Sequence, residues 1–162
     1  MLTNYREGTR SCGCIREKQH FIKTSKMKGL DLEYLDKFTD FKKFVFIHKS
    51  LLANTSLITT LTVEEYKKYI EYFYNQKEFN ILYNNWNRNK ITNTFYDLAK
   101  PSLDHIIPKS KGGTDLLENL QFLSLFENLC KRDMTMNEWY DFMNKTNTKS
   151  DLFICEMMKE VV

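Results

Sequence analysis

Prolines, glycines and long apolar runs are all scarce in this chain of 162 residues, and their scarcity limits what the protein can be. With only two prolines and five glycines, the composition is neither collagen-like nor that of a flexible linker. There is no signal-peptide pattern and no apolar run long enough to cross a membrane. We therefore expect a soluble, cytoplasmic protein without a membrane partner, whose four cysteines stay reduced.

The residues that are plentiful predict a folded chain. Hydrophobic residues make up 42% of the sequence and aromatic residues 14%, which is enough for one domain with a core. Composition and periodicity divide the chain into four predicted parts. These are a basic N-terminal segment (1–30), a helical region (31–100), a mixed segment with two short strands (101–145) and a C-terminal tail (146–162).

Positive charge is concentrated at the N-terminus. Residues 1–30 hold seven Lys or Arg against two Glu, a balance of +5, whereas the whole chain carries +3. A basic end on a near-neutral body suits contact with a polyanion, and Arg10, Arg16 and Lys18 are the candidate contacts with a DNA backbone. A solvated terminus without such a role is the alternative.

Two capping boxes mark helix starts in the sequence. Thr62 with Glu65 predicts the first, and Thr135 with Glu138 predicts the second. The aromatic residues that follow Thr62 recur at helical spacing, with a break near residues 75–76. We interpret this stripe as core rather than as a base-stacking surface, and His48 as a histidine at the edge of the core.

The stretch LDHIIPKSKGGTDLLENLQFL combines residues that could build a reactive site. It predicts strands over 102–107 and 120–125 joined by a Lys- and Gly-rich loop, with a short helix over 127–132. This order could bring together four polar side chains: Asp104, His105, Asn119 and Asn128.

Each of these residue types has a use in phosphate chemistry. Asp and Asn oxygens suit Mg²⁺ or Mn²⁺, and a neutral His beside such an ion can take a proton from water. An Asn carbonyl could hold the other nitrogen of the His ring, and Lys109 and Lys111 could contact neighbouring phosphates. Taken singly, each residue could equally be a turn residue or a helix cap.

Residues 101–133 resemble the HNH endonuclease family, through DHIIP, SKGG and ENLQ followed by Asn128. The set His105, Asn119 and Asn128 resembles the H-N-N variant of phage homing endonucleases. The resemblance implies an α+β fold with a ββα-metal core over 101–145 behind the mainly helical region. It also implies hydrolysis of DNA phosphodiester bonds, with His105 as general base, Asn119 orienting its ring, and Asp104 and Asn128 binding one Mg²⁺ or Mn²⁺.

The chain departs from the family in one respect. Many HNH proteins carry Cys-x-x-Cys pairs that hold a structural zinc, but Ser124 and Glu127 stand where one pair would flank the helix. We therefore expect no structural zinc in the core. Apolar packing should hold it instead, by Phe122, Leu125, Phe126, Leu129 and Trp139.

Cys12 and Cys14 could supply half of a four-ligand zinc site. The run EGTRSCGCIREK resembles the closing end of zinc-ribbon-like modules of phage DNA-binding proteins, of which residues 1–30 would be a remnant. His20 could be a third ligand, but a fourth is missing unless Cys155 folds back. We favour a segment without zinc and keep zinc at Cys12 and Cys14 as the alternative.

The function predicted by the resemblance is a metal-dependent HNH endonuclease that nicks or cuts both strands of DNA. A phage or mobile-element homing enzyme, acting in the host cytoplasm as a monomer, is the favoured subtype. The alternatives are a restriction or nonspecific nuclease and a noncatalytic DNA-binding protein that keeps the fold. An RNA-directed nuclease or a structural protein has no support beyond charge and aromatic content.

Overall fold

The computed structural model describes residues 12–25, 29–54, 59–88 and 98–146. Within these ranges the chain forms seven α-helices and one antiparallel hairpin, which confirms the predicted α+β class. The elements are α1 (Cys12–Thr24), α2 (Leu32–Asp36), α3 (Phe41–Ala53), α4 (Val63–Asn75), α5 (Lys77–Arg88), β1 (Pro101–His105), β2 (Leu120–Ser124), α6 (Leu125–Lys131) and α7 (Met136–Thr146). Most of the predicted tail lies outside the described residues.

Both predicted capping boxes are formed. The Thr62 hydroxyl accepts from the Glu65 backbone at 3.3 Å, and the Glu65 carboxylate accepts from the Thr62 backbone at 2.8 Å. Thr135 and Glu138 repeat the pattern at the start of α7. The break between α4 and α5 falls at Gln76, whose extended ψ of 128° interrupts the helix. These positions were predictable because capping is a local interaction.

The hairpin has the predicted order with slightly shorter strands. Asp104 lies opposite Gln121 and His105 opposite Leu120 in the antiparallel register. The first strand ends at His105 rather than at residue 107, because the chain turns into the loop there. The short helix α6 starts before the predicted residue 127, since Ser124 caps it by accepting from the Glu127 backbone at 3.1 Å.

The aromatic stripe of α4 and α5 forms the core, as predicted. Phe122 of β2 meets Phe73 with ring centroids 5.0 Å apart and Phe79 at 4.6 Å, so the helices cover one face of the hairpin. Trp139 is also buried, but Leu129 is 58% exposed. The prediction that Leu129 packs in the core is therefore wrong, because that position of α6 faces away from the hairpin.

Contacts divide the chain into two compact units, residues 1–41 and 42–162. In the first unit, the Lys18 ammonium donates to the Leu35 carbonyl and to the Asp36 carboxylate, both at 3.0 Å. The ring of Phe41 lies 5.7 Å from the same ammonium. These contacts join α1 to α2 and to the first residue of α3. The second unit contains α4, α5, the hairpin, α6 and α7, together with the rest of α3.

His48 is buried in the second unit, as its place in the helical pattern predicted. The Tyr66 hydroxyl lies 2.8 Å from His48 Nδ1. Burial, with a smaller contribution from Lys49, lowers the pKa of His48 from its ordinary value of 6.5 to about 4. Between these two pH values, the unfolded chain binds a proton that the folded chain does not.

We expect acid to destabilise the protein through His48. As the pH falls from 6.5 to about 4, the free energy of unfolding should lose up to about 3 kcal/mol from this residue. Denaturant unfolding across this range measures the loss. His48→Gln should flatten the pH dependence, and His20→Gln, at an exposed site, should not. Equal pH dependence in the wild type and His48→Gln would contradict the assignment.

None of the helices in the described part of the chain is both long and apolar enough to cross a membrane.

Candidate active site

The hairpin places Asp104 and His105 in different surroundings, because neighbouring residues of a strand point to opposite faces. Asp104 is 7% exposed and accepts from the side chain of Gln121, its partner on β2, at 2.9 Å. His105 instead meets the loop that joins the strands, where its Nε2 lies 2.8 Å from Asp115 Oδ1. The two residues predicted to act together thus have separate partners.

The carboxylate of Asp104 is held by a lysine that the sequence had not singled out. Lys131 Nζ lies 3.2 Å from Oδ1 of Asp104 and 3.1 Å from Oδ2, and it donates to the His105 carbonyl at 2.8 Å. The Lys131 side chain is fully buried. Lys131 follows Asn128 by three positions, which places both on one face of α6. That spacing was the only feature of the sequence that could have pointed to Lys131 as a residue of the site. The buried ion pair ties α6 to β1.

His105 is positioned by Asp115, which sequence reasoning also missed. The Asp115 carboxylate accepts from His105, from Lys109 at 2.8 Å and from Asn54, the residue after α3, at 3.2 Å. Its backbone carbonyl accepts from the Tyr69 hydroxyl of α4 at 3.2 Å. The helices therefore hold the loop at Asp115, and Asp115 holds the imidazole. With Nε2–H donating to the carboxylate, Nδ1 is the basic nitrogen of a neutral ring.

Asn119 holds the loop and makes no direct contact with the His105 ring. Its Oδ1 accepts from the Ile107 backbone at 2.8 Å, while Nδ2 donates to the carbonyls of Ile107 and Thr114 at 3.0 and 2.8 Å. The sequence predicted that an Asn119 carbonyl accepts from the His105 ring, but in the structure the Asp115 carboxylate lies at His105 Nε2. The physical reason is that the turn after β1 leaves backbone groups that need partners, and the buried carboxamide supplies them.

Backbone conformation and steric contacts explain why glycine stands at both positions of the Gly-Gly pair in the loop. Gly112 adopts a left-handed φ of 84°, which favours glycine. A Cβ on Gly113 would stand 1.7 Å from the Ile107 carbonyl oxygen, so only glycine fits. The loop can therefore close tightly over Asn119, which keeps Asp115 within reach of His105.

Asn128 and Asp104 offer oxygen atoms of the kind that a hard divalent ion prefers. Asn128 Nδ2 donates to the Ser102 hydroxyl at 2.9 Å and to the Leu103 carbonyl at 3.2 Å, and within the described residues its Oδ1 accepts no hydrogen bond. Among the described residues, the donor to Asp104 Oδ1 is Lys131, at 3.2 Å. One carboxylate and one amide oxygen, completed by water, fit the chemistry of Mg²⁺. The described residues hold no cluster of three or more His, Cys, Asp or Glu placed for a metal.

Two of the predicted DNA contacts lie on the loop and are engaged with carboxylates. Lys109 pairs with Asp115, and its side chain is 45% exposed. Lys111 pairs with Glu138 of α7, and this hydrogen bond is the main cause that lowers the pKa of Glu138 to about 2. To contact a DNA phosphate, either lysine would have to leave the carboxylate with which it is paired.

Of the DNA contacts predicted in the N-terminal segment, the structure leaves one exposed and buries another. Arg16 is exposed on α1 and stays a predicted DNA contact. Lys18 is 7% exposed and is engaged by Asp36, so its prediction as a DNA contact is corrected. Its alkyl chain lies on the inner side of α1, which the sequence pattern did not reveal. Arg10 and the side chains of Cys12 and Cys14 lie outside the described residues.

A cleft of about 800 Å³ opens beside His105. We call it the basic cleft, because His105 shares its walls with Lys49, Lys100 and Lys109. Residues of β1 and of α3 line it, together with Trp86 of α5. The candidate general base therefore faces a cationic surface that draws on residues far apart in sequence.

Comparison with known proteins assigns a family to the hairpin. The family model of the HNH endonuclease matches residues 96–125, which include β1, the loop and all of β2. This match confirms the resemblance seen in the sequence. No curated protein and no solved structure matches the chain.

Proposed function

Because residues 96–125 match the HNH endonuclease family, a match that supports nuclease activity in general, we propose that the protein is a metal-dependent DNA endonuclease. The observation that carries the proposal is the imidazole of His105, held by Asp115 at 2.8 Å on the wall of a cationic cleft. A positioned base beside lysines is the arrangement that hydrolysis of a phosphodiester requires.

His105 is the general base in this proposal. Asp115 accepts a hydrogen bond from Nε2–H and keeps the ring in one tautomer, which leaves the lone pair of Nδ1 available to a water molecule. As the water attacks phosphorus, its proton passes to Nδ1, and the nearby carboxylate of Asp115 stabilises the imidazolium that forms. The bond between phosphorus and the leaving oxygen breaks, and that oxygen takes a proton from solvent. Asn119 contributes indirectly, because it holds the loop that carries Asp115.

Asp104 and Asn128 would hold the divalent ion, Mg²⁺ or Mn²⁺. When bound, such an ion would offset the charge that builds on the phosphate and on the leaving oxygen. The ammonium of Lys131 shares the Asp104 carboxylate and would weaken the binding of a second cation by repulsion. We therefore propose a weakly bound ion rather than a permanent one.

The motif residues support a more specific function within the nucleases. The H-N-N set of His105, Asn119 and Asn128 supports a phage or mobile-element homing enzyme, because it resembles that variant of the family. Each chain carries one His105, so a monomer would cut one strand at a time. A nicked product is the default expectation.

The proposal is tested by incubating the full chain with supercoiled plasmid in the presence of Mg²⁺ or of EDTA. We expect Mg²⁺ to convert the plasmid to nicked circles and EDTA to prevent it, because the phosphate charge is not offset without the ion. Plasmids with and without source-genome DNA should both be used. Equal cleavage in EDTA would contradict metal dependence. DNA retained in a gel shift but never cut would favour the noncatalytic DNA-binding protein.

A further inference from the structure

The helix α3 has two faces with different roles. Its buried residues are Phe44, Ile47, His48 and Leu51, which point into the core. The residues that line the basic cleft are Phe46, Lys49, Ser50, Ala53 and Asn54. The second set recurs at steps of three and four residues, so it forms one continuous stripe along the helix. The stripe leads to Asn54, which contacts Asp115 at the active site.

Among the described residues, the charged side chains that line the basic cleft are all cationic. Lys49, Lys100 and Lys109 line it, and no described Asp or Glu does. Lys49 and Lys100 are exposed, and in the part of the chain that the structure describes neither forms an ion pair. Lys67 and Lys111, in contrast, pair with carboxylates outside the cleft. Unpaired ammonium groups on a concave wall attract an anion without first breaking a salt bridge.

Two aromatic residues are among those that line the basic cleft. The rings of Phe46 and Trp86 meet with centroids 5.2 Å apart, and both residues line the cleft. Flat apolar rings between cations suit a ligand with an anionic backbone and apolar ring faces, which is the chemistry of a nucleic acid strand.

We propose that the basic cleft holds the DNA strand beside the bond that is cut, with Lys49 and Lys100 each contacting a phosphate. This inference rests on the proposed nuclease function and extends it, because it assigns substrate binding to the helical region in front of the hairpin. The loop lysines are then secondary, since Lys109 and Lys111 are already paired. Neither Lys49 nor Lys100 was among the DNA contacts predicted from the sequence, which lie in the basic N-terminal segment and on the loop of the hairpin.

The test is the salt dependence of DNA binding by the full chain, measured by fluorescence anisotropy in EDTA. A duplex of arbitrary sequence serves, because phosphate contacts do not depend on the target site. Each lysine that neutralises a phosphate contributes about 0.9 to the slope of log K against log salt. The double variant Lys49→Ala/Lys100→Ala should therefore lower the slope by about 1.8.

The matched control is Lys42→Ala/Lys77→Ala. It removes the same charge from exposed positions of α3 and α5 outside the cleft, and its slope should equal that of the wild type. Thermal melting of both variants verifies that they fold. Equal slopes for the two double variants would overturn the inference, as would a wild-type chain that binds no duplex.

This measurement separates the two proposals because it needs no cleavage. If Lys49→Ala/Lys100→Ala lowers the salt slope of DNA binding but the wild type never cuts DNA with Mg²⁺, the proposed binding surface is supported. The nuclease proposal is then contradicted. If the wild type cuts DNA but the cleft variant keeps the wild-type slope, the strand lies elsewhere and the nuclease proposal stands.

Discussion

Replacing His105 with alanine should lower the rate of plasmid cleavage by about 10²–10⁴-fold, the usual contribution of a general base. DNA affinity should change little, because binding depends mainly on lysine and arginine contacts with phosphates, and the variant keeps all of those side chains. The measurement is single-turnover cleavage at saturating protein, paired with anisotropy on the same DNA. Saturation removes any effect of affinity from the rate.

Asp115→Asn is the matched variant for this experiment. The amide has the shape of the carboxylate but a single acceptor oxygen, whereas His105, Lys109 and Asn54 all donate to Asp115. Cleavage should fall less than in His105→Ala, because the base remains but is oriented less strictly. Wild-type cleavage by His105→Ala would show that another group takes the proton from water.

Replacing Lys131 with methionine should destabilise the protein by about 3–5 kcal/mol, the usual cost of breaking a buried ion pair. Methionine matches the length of the lysine side chain but cannot carry its charge. Asp104 would then keep a buried carboxylate with Gln121 as its remaining described partner. Denaturant unfolding followed by tryptophan fluorescence is the suitable measurement, because Trp86 and Trp139 are the only tryptophans and both lie in residues 42–162.

The double variant Lys131→Met/Asp104→Leu distinguishes the ion pair from simple packing. Replacing both partners of a buried pair with apolar residues is often nearly neutral, so the double variant should recover most of the loss. Millimolar Mg²⁺ should also recover part of the loss in Lys131→Met if Asp104 binds the ion, because a ligand of the folded state stabilises it. Full stability of Lys131→Met without metal would contradict the pairing.

Local chemistry made several features of this protein predictable. The capping boxes at Thr62 and Thr135 were predicted correctly because a cap joins residues three positions apart. The order of strand, Gly-rich loop, strand and helix followed from turn residues and short apolar runs. Burial of the aromatic stripe followed from its helical spacing, and the HNH resemblance was confirmed by the family match over 96–125.

The partners of the site residues were not predictable in the same way. The sequence suggested that Asn119 contacts His105, whereas Asp115 does so, and Asp104 pairs with Lys131, 27 positions away. Sequence spacing alone does not show which of several polar residues in one loop contacts His105. The choice depends on which backbone groups the closed loop leaves without partners, and that is known only once the loop is packed.

The sequence by itself thus determined the two capped helix starts, the order of strand, loop, strand and helix, and the HNH resemblance over 96–125, because these depend on interactions between near neighbours. Only the tertiary structure decided which charges face solvent and which are buried. It placed Lys18 against Asp36 and brought Lys49 and Lys100 to the wall beside His105. The physical reason is that an ammonium group interacts with whatever lies within a few ångströms of it, and packing brings distant parts of the chain to that distance.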